Sequence, residues 1–327
     1  MKNYSIAKAY PTIPIIFLGG IKDDRSPIYD TMGLAVTDLA ENTRTETAVE
    51  LLSSAGSSSA DDCEISFLLE GESLQGKRGE ETLETIRSFV RLADIQEPVK
   101  LNIRSNNYNI FSGSSDSGLA ALFTALNDVF ELGLSQKELL EYAMQGSESA
   151  GRSLYGGLTH TIVDSQLEVV QLASAEELSD LALFSIPFDY DSRLSADEIH
   201  SGIVTHEHFS ERVAQIPQWV DGIKTALQAK DFIALLEVAE ENIRNAHQLL
   251  EGVGLVVRKP KMMALCHLVE KMRELDILAY YLIGGGNLIT LATTSKYAPD
   301  VATYLAKECW PYYPFKVAGS PKIIDSG

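Results

Sequence analysis

Residues 112–118 read Ser-Gly-Ser-Ser-Asp-Ser-Gly, a segment without any bulky side chain. Strand-like residues 99–104 come before it, and the helix-favouring residues 119–132 follow it at once. A small-residue turn at the start of a helix leaves backbone N–H groups unpaired, and these groups together with the helix dipole attract an anion. The segment therefore predicts a phosphate-binding loop, with a flexible turn as the alternative. It is not a Walker A loop, because no Gly-Lys-Ser or Gly-Lys-Thr follows at the required spacing.

The charge balance restricts the partners that the chain can bind. Its 327 residues include 27 Lys and Arg against 46 Asp and Glu, a formal net charge of −19. That excess of carboxylates argues against nucleic acid or an anionic membrane as the main partner, whereas a few local cations can still hold a small anion. We therefore expect a small-molecule substrate.

The cysteines and the N-terminal residues predict a cytoplasmic protein. Cys63, Cys266 and Cys309 are far apart and form no Cys-x-x-Cys pair, so neither a disulfide framework nor a zinc site is expected. Residues 2–8 are polar and begin no signal-peptide pattern. The longest apolar runs, such as residues 13–18, are much shorter than the roughly 20 residues that a membrane helix needs.

Strand and helix patterns alternate irregularly along the chain, which predicts an α+β architecture in two lobes, residues 1–180 and 181–327. Strands are predicted at residues 12–18, 34–37, 45–52, 65–69, 99–104, 158–163, 167–172, 182–188, 280–283, 288–292 and 315–319. Helices are predicted at residues 80–92 and 119–132, after capping boxes at Ser135 and Ser195, within 205–250 and at 260–275. The small polar residues 53–62 predict a surface hairpin loop.

Four segments occur in an order that resembles the GHMP kinase superfamily, and within it the mevalonate diphosphate decarboxylase branch. They are residues 9–13 (Ala-Tyr-Pro-Thr-Ile), the loop at 112–118, residues 147–158 (Ser-Glu-Ser-Ala-Gly-Arg-Ser-Leu-Tyr-Gly-Gly-Leu) and residues 284–287 (Gly-Gly-Gly-Asn). The third segment is highly specific to that branch, whereas the glycine loop matches the usual Pro-x-x-x-Gly-Leu-x-Ser-Ser loosely. The resemblance implies a two-lobed GHMP kinase fold, in which a lobe like the second domain of ribosomal protein S5 precedes a ferredoxin-like α+β lobe. It also implies ATP and Mg²⁺ as cofactors and leaves a homodimer open.

Two positions depart from the decarboxylase pattern. Leu18 stands where those enzymes carry a lysine, and Ile283 stands where they carry an aspartate before the last glycine loop. An apolar pair cannot polarise a hydroxyl group or supply the charges associated with the loss of phosphate and CO₂. ATP-dependent decarboxylation is therefore not expected.

The archaeal mevalonate 3-kinases resemble the chain in several places at once. They share Leu-Gly-Gly-Ile at residues 18–21, the Ser-Gly-Ser-Ser-Asp loop, Ser-Glu-Ser-x-Gly-Arg at residues 147–152 and Lys-Val-Ala-Gly at residues 316–319. This resemblance implies that Glu148 contacts the substrate, that Arg193 contacts its carboxylate and that Ser112 is the loop serine. The 3-kinases carry threonine at the position of Ile283, which leaves the identity of the hydroxy acid open.

These matches predict three groups of site residues. Catalysis is assigned to Arg152, Ser112 and Glu148, nucleotide binding to Ser112, Gly113, Ser114, Ser115, Asp116 and Ser117, and substrate binding to Leu18, Glu148, Ser149, Arg152, Arg193 and Ile283. No metal ligand is assigned with certainty, since Asp116 has two readings, as a Mg²⁺ ligand or as a cap of the following helix. The six histidines form no metal-binding pattern.

The charged residues among them also have ordinary structural explanations. Arg152 could pair with a surface carboxylate, and Glu148 could be solvated near the end of a helix. Asp189 or Asp191 could neutralise Arg193.

Three functions remain open from the sequence. The first is a kinase of isoprenoid biosynthesis that transfers the γ-phosphoryl group of ATP to the 3-hydroxyl of mevalonate or a related 3-hydroxy acid, without decarboxylation. The second is a lyase that removes CO₂ from a phosphorylated mevalonate, and Leu18 and Ile283 argue against it. The third is a non-catalytic relative that binds a nucleotide or a lipid intermediate. The serine-rich loop and Arg152 favour the kinase, because phosphoryl transfer depends mainly on positioning and electrostatics.

Overall fold

The computed structural model describes residues 1–53, 63–95 and 98–327, so most of the hairpin loop predicted at residues 53–62 lies outside the described residues. The strands are β1 (Tyr4–Ala9), β2 (Thr12–Ile16), β3 (Thr31–Asp38), β4 (Arg44–Ser53), β5 (Cys63–Leu69), β6 (Glu72–Ser73), β7 (Val99–Tyr108), β8 (Leu158–Val163), β9 (Leu167–Ala173), β10 (Leu181–Pro187), β11 (Tyr280–Leu282), β12 (Leu288–Thr294), β13 (Tyr313–Val317) and β14 (Lys322–Ser326). The helices are α1 (Gly76–Arg91), α2 (Ser114–Val129), α3 (Gln136–Gly146), α4 (Ala150–Tyr155), α5 (Ala196–Ile203), α6 (Phe209–Gln228), α7 (Phe232–Gly252), α8 (Pro260–Glu274) and α9 (Ala298–Lys307).

The strands form two sheets in an α+β arrangement. The first sheet has the order β14-β1-β4-β7-β5-β6. The second has the order β11-β12-β10-β13-β3-β8-β9, and β2 pairs with β3 beside this path. Within the described residues β5 and β7 pair in parallel, whereas neighbours such as β4 and β7 are antiparallel.

Strands from the end of the chain complete both sheets. In β13, Val317 pairs with Val36 of β3, and in β14, Ser326 pairs with Ser5 of β1. The two halves of the sequence therefore share hydrogen-bonded sheets, which places side chains from both halves around one site. The lobe boundary near residue 180 falls just before β10 and stays a prediction.

Two apolar cores hold the helices against the sheets. One core packs α1, α2, α3 and α4 against β1, β4 and β7, with Phe89, Phe123 and Ile103 fully buried. The other packs α5 to α9 against strands of the second sheet, with Ile283 and Leu236 fully buried. Burial of this apolar surface is the main favourable contribution to folding. No helix among the described residues is both long enough and apolar enough to cross a bilayer.

Local sequence signals predicted several element boundaries. Both capping boxes are confirmed, since the hydroxyl groups of Ser135 and Ser195 accept the N–H of Glu138 and Glu198. The loop at residues 112–118 is shorter than predicted, because α2 already begins at Ser114.

Besides the two-residue strand β6, four elements were not predicted from the sequence: β1, α4, α9 and β14. In β1 the buried side chains are the small Ser5, Ala7 and Ala9, whereas the larger Tyr4 and Ile6 are half-buried, so hydrophobic alternation gives a weak signal. β14 is mostly exposed, and α9 has no side-chain cap at its start.

Candidate active site

A cavity of about 440 Å³ lies between the start of α2, the start of α5 and the glycine segment 284–286. Phe17 and Leu18, which follow β2, form another part of its lining, and α4 contributes Arg152. The site therefore combines residues that are far apart in the sequence. Because the second sheet and the helices around it draw on both halves of the chain, folding brings these segments together.

The start of α2 has the backbone geometry of an anion site. Gly113, the N-cap residue, has φ 75° and ψ 23°, in the left-handed region. A Cβ atom on Gly113 would lie 2.7 Å from the carbonyl oxygen of Thr12, so both the conformation and the space require glycine. No side chain among the described residues caps the helix, so its first N–H groups have no capping partner in that part of the chain. Ser112, Ser114 and Ser115 line the cavity beside them.

The late glycine segment approaches this loop closely. A Cβ atom on Gly286 would lie 2.9 Å from Oγ of Ser112, whereas one on Gly284 would lie at an ordinary 3.7 Å from the same atom. Gly286 thus allows the backbone of the second half to contact the phosphate loop of the first half. The contact closes one side of the cavity.

Arg152 supplies a buried positive charge to the cavity. Arg152 is 5% exposed, and its Nε and Nη2 atoms have no hydrogen-bond partner among the residues that the structure describes. Burial lowers the pKa of Arg152, while the charge of Asp116 acts in the opposite direction. Within the part of the chain that the structure describes, Arg152 forms no ion pair with a surface carboxylate, which was its alternative explanation. Unpartnered guanidinium donors at a cavity wall are suited to a phosphate or carboxylate ligand.

Asp116 is held by hydroxyl groups and does not cap α2. Its Oδ1 atom accepts hydrogen bonds from Ser147 at 3.0 Å and Ser149 at 2.5 Å, and Thr12 donates to Oδ2. Asp116 lies in the first turn, after the N-cap Gly113, so the capping alternative is wrong. Among the described residues that line the cavity, Asp116 is the only carboxylate.

Three residues predicted for the site do not line the cavity. The Glu148 carboxylate is buried in an ion pair with Arg25, and Nη2 of Arg78 lies 3.6 Å away. The Ser117 hydroxyl faces the interior and lies 2.7 Å from Oγ1 of Thr45. Ile283 is fully buried in the second core, next to the glycine segment. These three residues surround the cavity without forming its wall.

The remaining predicted residues do line the cavity. Leu18, Ser149 and Arg193 belong to its wall, together with the loop residues described above. Within the described part of the chain, Arg193 makes no ion pair with Asp189 or Asp191, so its charge is available to a ligand.

Two ionisable residues of the lining, Arg78 and His200, were not predicted as site residues. Nη2 of Arg78 lies 2.6 Å from Oδ1 of Asp197, which joins α1 to the start of α5. Nδ1 of His200 accepts the N–H of Gly20 at 3.3 Å, and burial lowers the pKa of this histidine. No local motif marks either residue. The only available signal was the capping box at Ser195, which places His200 on a short helix beside Arg193.

Comparison with known families supports the resemblance seen in the sequence. Residues 9–170 match the family described as the diphosphomevalonate decarboxylase-like N-terminal domain, and residues 194–298 match the mevalonate-3-kinase C-terminal domain. Together the two matches span most of the chain, including all of the phosphate loop and the start of α5.

Individual relatives show similarity along the full length. The mevalonate-3-kinase of Picrophilus torridus is 29% identical over 99% of this chain and 99% of its own length. The mevalonate 3-kinase of Thermoplasma acidophilum is 28% identical over 89% of this chain and 88% of its own length. A crystal structure of the Thermoplasma enzyme, with mevalonate 3-phosphate and ADP bound, superposes with a TM-score of 0.85 at 25% identity and covers both chains completely.

Proposed function

We propose that this chain, which belongs to the family of diphosphomevalonate decarboxylases and mevalonate 3-kinases, transfers the γ-phosphoryl group of ATP to the 3-hydroxyl of mevalonate. The observation that carries the proposal is the position of Arg152. Its guanidinium, whose Nε and Nη2 atoms have no hydrogen-bond partner among the described residues, lies on the same cavity as the start of α2. The two features together provide a place for phosphate groups and a charge for the group that is transferred.

The start of α2 holds the phosphates of ATP. The N–H groups of Ser114 and Ser115 and the hydroxyl of Ser112 surround the anion, and Gly113 allows the close approach of the backbone. Arg152 neutralises the charge on the γ-phosphoryl group as it is transferred. These roles require fixed donors more than a strong base, which fits a site built from serines and one buried arginine.

The acceptor lies against the other part of the lining. Arg193 holds the carboxylate of the substrate, and Leu18 contacts its carbon skeleton. Glu148 acts indirectly, because its ion pairs with Arg25 and Arg78 fix the edge of the cavity. In the reaction, the 3-hydroxyl oxygen forms a bond to the γ-phosphorus, the bond from that phosphorus to the oxygen shared with the β-phosphate breaks, and the hydroxyl proton leaves to solvent.

The residues present also fit a magnesium ion that accompanies ATP. Asp116 and the hydroxyl of Ser149 are oxygen donors of the kind that Mg²⁺ prefers, and this ion usually keeps water and phosphate ligands as well. No cluster of three or more His, Cys, Asp or Glu side chains that could hold a metal occurs in the described part of the chain. Asp116 is thus the one protein carboxylate we assign to the ion, which neutralises phosphate charge when bound.

The proposed reaction stops at the phosphorylated acid. The described lining has no carboxylate at the glycine segment, and Leu18 and Ile283 are both apolar. The groups that promote departure of the 3-phosphate in the decarboxylase pattern are therefore missing. A cytoplasmic location and a homodimer remain predictions from the sequence.

A product assay tests the function. Wild-type protein is mixed with ATP, Mg²⁺ and mevalonate, and ADP and CO₂ are measured separately against a reaction without mevalonate. Mevalonate-dependent ADP without CO₂ is the expected result. Equal amounts of ADP and CO₂ would identify a decarboxylase, and the absence of both would favour a binding protein.

A further inference from the structure

Arg212 in α6 is a buried cation without a carboxylate partner among the described residues. Its side chain is 1% exposed, which makes it one of the largest fully buried side chains. All its hydrogen bonds go to neutral oxygen atoms: Tyr29 Oη at 3.2 Å, Asn242 O at 3.0 Å, Asn245 Oδ1 at 2.8 Å, Phe17 O at 3.3 Å and Asn242 Oδ1 at 3.2 Å. The guanidinium also lies over the rings of Tyr29 and Trp219, at 5.5 and 5.4 Å from their centroids.

Stability alone is a weak reason for such a residue. Burying a charge carries a large desolvation penalty, and well-packed apolar residues often replace buried charges without loss of stability. The contacts of Arg212 indicate what its charge and its planar donors achieve. One of these hydrogen bonds goes directly to the carbonyl oxygen of Phe17, which lines the cavity, and the side chains of two further partners, Tyr29 and Asn242, also bond to the Phe17 backbone.

Three side chains, Tyr29 from the first half of the chain and Arg212 and Asn242 from the second, fix both backbone polar groups of Phe17. Its N–H donates to Oδ1 of Asn242 at 2.9 Å, and its carbonyl oxygen accepts from Tyr29 Oη at 3.1 Å and from Arg212 Nη2. Oδ1 of Asn242 receives two donors, which fixes the orientation of that amide. We call Tyr29, Arg212 and Asn242 the Phe17 clamp.

The chain that follows Phe17 passes close to Tyr29 of the clamp. A Cβ atom on Gly19 would lie 3.0 Å from Tyr29 Oη and 2.9 Å from Cδ1 of Ile203, so a larger residue at this position would require these side chains to shift. Phe17 and Leu18 line the cavity, and neither belongs to the phosphate loop. The position of Leu18 therefore depends on the clamp.

We propose that Arg212 is a positioning residue for the acceptor substrate. It acts through the backbone of Phe17 and sets Leu18 against the carbon skeleton of mevalonate, while the phosphate loop forms independently of it. This inference rests on the proposed function. It predicts that loss of Arg212 affects the acceptor much more than the nucleotide.

The test compares Michaelis constants for the two substrates. In Arg212→Met we expect the KM for mevalonate to rise about tenfold or more while the KM for ATP stays within about twofold, because a displaced wall weakens acceptor binding and orientation. Arg212→Lys keeps the charge but not the planar donors, so it should restore only part of the mevalonate KM. Tyr29→Phe removes one hydrogen bond to Phe17, so it should also raise the KM for mevalonate, but by less than Arg212→Met does.

Arg273→Met is the matched control. Arg273 is another arginine of the second half, half-buried where Arg212 is fully buried; it pairs with Glu240 at 3.0 Å and does not line the cavity. Arg273→Met should lower the midpoint temperature of unfolding and leave the KM values for mevalonate and ATP unchanged.

The outcomes separate the two proposals. If the KM values for mevalonate and ATP change equally in a folded Arg212→Met protein, or if neither changes, the role of the clamp is contradicted. The proposed kinase activity is unaffected by that result. If Arg212→Met does not fold, Arg212→Lys and Tyr29→Phe give the same readout, and unchanged mevalonate constants in both would contradict the clamp. A wild-type protein that forms no phosphorylated mevalonate would refute the proposed function and this role with it.

Discussion

The side chain of Arg152 in α4 lies directly against the backbone of Gly33 in β3. A Cβ atom built on Gly33 would fall 2.3 Å from Cδ and 2.8 Å from Nε of Arg152. Any side chain at position 33 would therefore displace the guanidinium that we place beside the transferred phosphoryl group. The position of the arginine depends on the absence of one methyl group on a neighbouring strand.

Gly33→Ala is expected to lower kcat by about tenfold or more, because a displacement of even 1 Å of a catalytic group is costly. Gly222→Ala in α6 is the matched control, since its new Cβ would meet Val238 of α7 at an ordinary 3.5 Å. That control should keep wild-type kcat and gain up to about 1 kcal/mol of stability from helix propensity. A folded Gly33→Ala protein with normal kcat would show that Arg152 does not need its observed position.

Gly113 and Gly118 provide a second matched pair. Gly113→Ala forces a side chain into the left-handed region and against Thr12. A Cβ on Gly118, in α2, would meet no described atom within 4 Å apart from the adjacent backbone of its own helix. We expect the KM for ATP to rise about tenfold or more in Gly113→Ala and to stay near the wild-type value in Gly118→Ala. Nucleotide titrations on both proteins check this, and equal nucleotide affinities would contradict the loop assignment.

Arg152→Lys tests the geometry of the charge. Lysine keeps the positive charge but loses the planar fork that matches a phosphate, so kcat should fall about tenfold or more. The measurement is steady-state turnover at saturating ATP and mevalonate. Near-normal turnover would make Arg152 a structural residue.

His200 should make the folded state sensitive to acid. Burial is the main cause of its lowered pKa, Arg78 and Arg25 act in the same direction, and Glu148 and Asp197 oppose them. Below the ordinary histidine pKa of about 6.5 the unfolded chain binds a proton that folded His200 resists, so the free energy of unfolding falls as the pH drops. Above that pH the contribution of the neutral ring is fully present.

His200→Asn keeps an acceptor for the N–H of Gly20 and removes the titration. Urea unfolding at about pH 7 and about pH 5 should show a smaller loss of stability in this variant than in the wild type. His247, whose pKa burial lowers to about 3, remains in both proteins and cancels in the comparison. An equal loss in the two proteins would assign the acid sensitivity to other groups.

The sequence predicted those parts of the site that are marked by local chemistry. The small residues at 112–118 predicted an uncapped helix start, and serines at positions 135 and 195 predicted two capping boxes. The motif around Arg152 identified a cation without showing that it is buried.

Relationships between distant segments could not be predicted in this way. The contact of Gly33 with Arg152 and the clamp on Phe17 depend on which strands and helices become neighbours. Arg212 did carry one signal, since it lies four positions before Ile216 on the buried face of α6. A cation within an apolar stripe is an indication of a buried polar network.

The position of the transferred phosphate tests the central claim most directly. The product of wild-type protein, ATP, Mg²⁺ and mevalonate is examined by phosphorus NMR without proton decoupling. A phosphate on the tertiary 3-oxygen has no proton on the attached carbon, so we predict one unsplit product signal that persists without release of CO₂. A signal split into a triplet by the two protons of C5 would place the phosphate on the primary hydroxyl and contradict the account.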